Sequence, residues 1–154
     1  MTKWLSKDQQ VHWRAWITAS SVLPELLSRE LQEAFGLTIN DYEILVRLSE
    51  SPNRQMRMSE LAIKSLLSRS RLSHQIDRLE DRGYVTRQAC EDDRRGQNCT
   101  MTNKGWETLV AAAPIHVAGV RRHFVDQLSA AEYEALGKAV GKIASHLDEE
   151  IENS

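Results

Sequence analysis

Apolar residues recur three and four apart along most of this chain, and two apart in only one stretch near its middle. Ser6 followed three residues later by Gln9 is a capping-box start, in which each side chain satisfies the other's otherwise unpaired backbone N–H. The helix it opens carries Trp13, Trp16 and Ile17 as an apolar stripe. Pro24 either kinks that helix or opens a second piece bearing Leu26, Leu27, Leu31 and Phe35. Gly36 ends it. Thr38 caps the next helix, which runs through Tyr42, Ile44, Leu45 and Leu48 and stops before Pro52.

Residues 59 to 64 read as a short helix. After a brief turn, Ser68 caps a longer one with Leu72, Ile76 and Leu79 at i, i+4 and i+7, ended by Gly83. Tyr84 to Cys90 alternates like a strand, and Asn98 to Thr102 is its expected partner across a charged tip. Thr102 caps a helix with Trp106, Leu109 and Val110 that meets Pro114 and resumes through Val117, Val120 and Phe124. Ser129 and Glu132 form another capping box, opening a helix with Leu136, Val140, Ile143 and Leu147. The fold class is therefore mainly α with a small β-wing. The first and last helical stretches carry more apolar face than 154 residues can cover, which calls for a helical dimer interface.

Composition narrows the picture. A chain of 154 residues fits one domain with a real core. No apolar run approaches the roughly 18–20 residues of a membrane span, and the N-terminus lacks a signal-peptide layout, so no membrane partner and a cytoplasmic location are expected. Cys90 and Cys99 are too few for a disulfide scaffold and match no common zinc spacing. His116 and His123 share a helical face, but no HxxxH or HExxH spacing occurs, so neither metal nor cofactor is expected. Nucleophile elbow, phosphate loop and paired catalytic motifs are also missing, which argues against an enzyme.

The net charge of −2 conceals an asymmetry. Residues 54 to 97 hold ten Lys and Arg against seven Asp and Glu, a balance of +3 that leaves −5 for the rest. A basic middle between acidic ends indicates a binding lobe on a separate scaffold. Within that middle, a helix over 59–65 followed by one over 68–82 has the helix-turn-helix arrangement, whose second helix enters the major groove of DNA. With 72, 76 and 79 facing the core, Arg69, Ser70, Arg71, Ser73, His74, Gln75 and Arg78 lie elsewhere on that second helix. Arg and Gln match base edges, while Ser and the helix N-terminus suit phosphate oxygens. At the tip, residues two apart point the same way in an extended segment, so Asp93 is expected to pair with Arg95 while Arg94 points away toward a phosphate. An arginine held by its own carboxylate suits a narrow, electronegative minor groove.

The run DRRGQNCTMTNKG, the helix pair MSELAIKSLLSRSRLSHQIDRLEDRGYV and the lead-in LTINDYEILVRLSE resemble the MarR family of winged helix-turn-helix repressors over roughly residues 37 to 105. Asp93, Arg95 and Thr102 fall in register with the family's wing signature. Met101 replaces its usual leucine, a volume-conserving change. The resemblance implies a homodimer with dimerisation helices over 1–36 and 103–154 and a winged helix-turn-helix lobe over 37–102. It further implies two recognition helices in successive major grooves of a pseudo-palindromic operator. Arg95 becomes the minor-groove reader and Asp93 its orienter, with Ser68, Ser70, Arg71 and His74 at recognition-helix contact positions.

By the same resemblance, a small aromatic or anionic effector releases the DNA from a cleft that Trp13, Trp16, Tyr42 and His116 are candidates to line. An alternative input is redox: a hairpin pairing symmetrically about its tip sets Cys90 opposite Cys99, where oxidation would distort the wing. A third reading, a winged-helix module for protein contact, would not require Arg95 or the basic helix.

Overall fold

The computed structural model describes residues 1–93 and 95–152. Its first helix, α1 (Lys7–Phe35), begins at the expected capping box: Ser6 N–H donates to Gln9 Oε1 (2.9 Å) and Gln9 N–H to Ser6 Oγ (3.2 Å). Of the two roles open to Pro24, it does not open a second piece, since α1 runs through it as one long helix. The carbonyl that loses its partner, on Ser20, lies on a solvent-exposed stretch, where the loss costs little. Gly36 ends α1 in the left-handed region (φ 64°), and its N–H donates to Gln32 O.

The next helix, α2 (Ile39–Ser49), is capped by Thr38 in a box completed by Asp41. A short strand, β1 (Gln55–Arg57), leads into α3 (Met58–Lys64). The turn that follows places Leu66 at φ 54°, a left-handed position usually given to glycine, with its side chain exposed. Then come α4 (Arg69–Asp81), β2 (Val85–Ala89) and β3 (Gln97–Met101). The sheet is antiparallel in the order β1–β3–β2, with Cys99 of β3 opposite both Met56 of β1 and Arg87 of β2. The wing thus has a third strand that the hydrophobic pattern does not reveal, because three residues are too few to show a period. Leu31, Ile44, Leu45, Leu48, Leu61, Leu72, Ile76 and Leu79 form one buried cluster beneath these elements.

α5 (Asn103–His123) passes through Pro114 unbroken, again with an exposed residue, Val110, four positions back. Its start is tied to the base of the wing. Thr102 donates from Oγ1 to Gly83 O (2.6 Å) and from N–H to Tyr84 O (3.0 Å), while Gly105 N–H donates to Thr102 Oγ1. Gly105 sits so close to Tyr84 that any Cβ there would overlap the Tyr84 carbonyl. α6 (Ala130–Glu152) opens at the Ser129–Glu132 box, with Ser129 N–H donating to Glu132 Oε2 (2.9 Å). By internal contacts the chain divides into two units, residues 1–117 and residues 118 onward, the division falling inside α5. In the second unit the rings of Phe124 and Tyr133 meet edge to face, their centroids 6.0 Å apart. No helix among the described residues is long and apolar enough to cross a membrane.

Candidate nucleic-acid interface

Ser68 positions the start of α4 by accepting the Arg71 N–H (3.2 Å), and burial of Leu72, Ile76 and Leu79 sets which way the helix faces. Ser68, Arg69, Ser70, Arg71, His74 and Arg78 are consequently exposed, and Ser73 is half-buried. Gln75 is the exception among the expected contact residues. Only 7% of it is exposed, and its Nε2 donates to Asp41 Oδ1 (2.9 Å) of α2. Its position borders the apolar face, so the amide reaches inward to a buried acceptor and is not presented to a partner. The expectation that Gln75 reads bases is corrected on that ground.

A concavity of about 400 Å³ lies where the start of α4, the end of β1 and the wing tip converge. Arg57, Arg69 and Arg95 line it above an apolar floor of Met58 and Leu72. A second, of about 330 Å³, runs along the opposite flank of α4 between Asn40, Arg71, His74 and Arg78. Helix α4 is therefore bordered by cationic side chains on both flanks. Arg57 and Asn40 join the expected residues here; neither belongs to a pattern that sequence reasoning could pick out.

The tip is a turn, not an extended segment. Asp93 Oδ1 accepts the backbone N–H of Arg95 (3.0 Å), and Gly96 N–H donates to Asp93 O. The expected Asp93–Arg95 pairing is thus corrected in kind: the carboxylate holds the main chain of Arg95 and not its guanidinium. Arg94 lies outside the described residues.

Other arginines of the basic middle are committed to the protein itself. Arg87 donates from its N–H and Nε to the two oxygens of Glu80 (3.0 and 3.1 Å) and from Nη2 to both Glu80 and Asp77. These hydrogen bonds hold the Glu80 carboxyl below the usual carboxylate range, against a smaller opposing effect of desolvation. They also fasten β2 to α4 and offset part of the negative charge on that flank. Arg82 donates to Phe35 O (2.7 Å) and Gly36 O (2.6 Å), closing the C-terminal end of α1. Arg57, Arg69, Arg71 and Arg95 remain exposed to a partner.

The two cysteines do not face each other. Cys99 stands opposite Arg87, whereas Cys90 lies past the end of β2, where its N–H donates to Gly96 O and its thiol to Asn98 Oδ1. Asn98 and Cys99 are neighbours on one strand and point to opposite faces, so the thiols do too. The register sets Cys90 opposite Gly96, so the tip is three residues shorter than symmetric pairing of Cys90 with Cys99 requires. Burial pushes the Cys99 thiol up to about 12, far from the thiolate that oxidation needs. Of the expected effector residues, Tyr42 and His116 are brought together, their ring centroids 4.4 Å apart. Trp13 and Trp16 remain 55% and 41% exposed on α1. No cluster of three or more His, Cys, Asp or Glu able to hold a metal occurs among the described residues.

The MarR family model matches residues 37–96, from the end of α1 to the wing tip. AbsC, a MarR family transcriptional regulator from Streptomyces coelicolor, is 48% identical and superimposes with a TM-score of 0.89, over 96% of this chain and 99% of AbsC. The chain belongs to the MarR family. A second MarR family transcriptional regulator from Streptomyces coelicolor, Sco3205, was solved in complex with DNA. It is 40% identical, with a TM-score of 0.92 over 96% of this chain and 92% of Sco3205. Among curated proteins, the HTH-type transcriptional regulator PecS of Dickeya dadantii is 26% identical over 126 residues, covering 79% of this chain and 75% of PecS. The MarR match spans α2, α4 and the wing tip, and so includes Asp41, Gln75, Asp93 and Arg95.

Proposed function

We propose that this MarR family protein is a homodimeric, sequence-specific DNA-binding repressor whose α4 enters the major groove while Arg95 enters the adjacent minor groove. The observation that carries the reading is the convergence of Arg57, Arg69 and Arg95 on one concavity beside the N-terminal end of α4. Cations there meet the phosphates beside an inserted helix, and the turn built on Asp93 fixes the direction from which Arg95 projects. That Sco3205, at 40% identity, was solved in complex with DNA supports DNA binding by this chain. A second copy of the chain covers the apolar side chains that α1 leaves exposed, among them Val11, Trp13, Trp16 and Ile17.

Release by a small aromatic or anionic effector is supported by the Tyr42–His116 pair. His116 Nδ1 is buried with no hydrogen-bond partner among the described residues, next to an aromatic face on which a planar ligand can stack.

The test is a gel shift with duplex DNA from upstream of the protein's own gene. The wild type should bind with an affinity that falls steeply with salt. Arg95→Ala should weaken binding at least tenfold and alter the preference for A·T steps flanking the half-sites. Binding indifferent to Arg95→Ala would overturn the wing assignment, and no preference for any duplex would overturn the reading as a whole.

A further inference from the structure

Gln75 is the one polar residue of α4 turned into the protein, and the partner it meets is equally buried. Asp41 is 5% exposed and sits at the third position of α2. Its Oδ2 accepts the Thr38 N–H (2.9 Å), completing the cap of α2, while Oδ1 accepts from Gln75 Nε2 (2.9 Å). Thr38 Oγ1 lies 3.4 Å from the same Nε2, and the Arg78 guanidinium is 3.6 Å from Oδ1. One carboxylate therefore closes the N-terminus of α2 and grips the middle of the recognition helix, 34 residues further along the chain.

Packing alone does not hold a helix this way. An apolar stripe of Leu72, Ile76 and Leu79 tolerates small rotations and slides, because dispersion contacts have no direction. A hydrogen bond between two buried groups does have one, and a buried donor left unmatched is costly, so the pair selects one orientation. Gln75 stands one turn from Arg71 and from Arg78 and adjoins His74. Any rotation it prevents would swing those three side chains across the groove. Readout of base edges needs placement to within a fraction of an ångström, whereas attraction to phosphates does not.

We propose that Gln75 and Asp41 are positioning residues that set the rotation of α4 for sequence discrimination, with Gln75 acting through Asp41 and never touching DNA. The inference rests on the DNA-binding reading. Its chemistry predicts an asymmetry between two conservative changes. Asp41→Asn is tolerated, because the Gln75 amide flips and accepts from the new side-chain N–H₂. Gln75→Glu sets two acceptor-only groups face to face. In the double variant Asp41→Asn/Gln75→Glu the hydrogen bond is restored with its polarity reversed.

The experiment uses a duplex that the wild-type protein selects from a random-sequence library, with a scrambled duplex as the comparison. All variants are measured at a temperature where circular dichroism shows them folded. Gln75→Glu should bind the selected duplex at least tenfold more weakly while binding the scrambled one within about twofold of wild type. Asp41→Asn and the double variant should both lie within about threefold of wild type on the selected duplex. If Gln75→Glu fails to fold, Gln75→Met, which removes the donor at similar volume, should lose at least fivefold in discrimination. Retained discrimination in the folded Gln75 variant, or a double variant that does not recover, would overturn the proposal. Equal losses on both duplexes would also overturn it, since they indicate general destabilisation. A wild type that selects no duplex overturns the DNA-binding reading, and this inference with it.

Discussion

At the scale of single residues, chemistry depends on which way a side chain is turned, and the two cysteines illustrate it. Cys99 lies on the buried face of β3, and desolvation pushes its thiol up to about 12. Alkylation with iodoacetamide at neutral pH should therefore leave Cys99 unmodified in the folded protein and label it readily in urea, as peptide mapping would show. Labelling of native Cys99 at the rate of a free thiol would contradict its burial. The arginines make the same point. Ten cations were legible in the middle of the chain, but not that Arg82 and Arg87 serve internal carbonyls and carboxylates. Those roles depend on tertiary neighbours 46 and 7 positions away, which charge patterning does not register. Gln75 belongs with them: helical spacing grouped it with the residues off the apolar stripe, and only the buried acceptor on α2 turned it inward.

At the scale of elements, local signals carried much further. The boxes at Ser6 and Ser129, the cap at Thr38 and the stop at Gly36 are visible as residue types at fixed offsets, because capping is a contact between near neighbours. β1 was not legible, since its identity comes from pairing with β3 more than forty residues later. The left-handed Leu66 was hidden too, in a turn where glycine is the common choice. The prediction proper to this scale concerns the junction of α5 with the wing. Gly105 permits α5 to approach the Tyr84 carbonyl, and backbone cannot move aside as a flexible side chain can. Gly105→Ala should therefore destabilise the fold by about 2 kcal/mol, as overpacking typically does, and lower the urea midpoint. An unchanged or raised midpoint would show that the junction is looser than described.

At the scale of the whole molecule, stability couples to pH through His116. Burial against Tyr42 lowers its pKa from the ordinary 6.5, outweighing the opposing influence of Glu43. The unfolded chain thus takes up a proton that the folded chain resists. Stability is fully present above about pH 6.5 and declines as pH falls from there toward the folded-state value. The melting temperature of the wild type should drop between pH 7 and pH 5 by more than that of His116→Phe, which keeps the ring contact without the titration. Parallel pH curves for the two proteins would remove His116 as the cause.

Arg82 has one more consequence. α1 is a rod of about 43 Å at the usual helical rise, and its last carbonyls are pinned to the end of α4 while its first half lies exposed. Such a rod is a pointer. A tilt of a few degrees that barely moves the pinned end sweeps the far end through two or three ångströms. A spin label or fluorophore near Gln10 would thus report small changes in the attitude of α4, magnified, from a position remote from it.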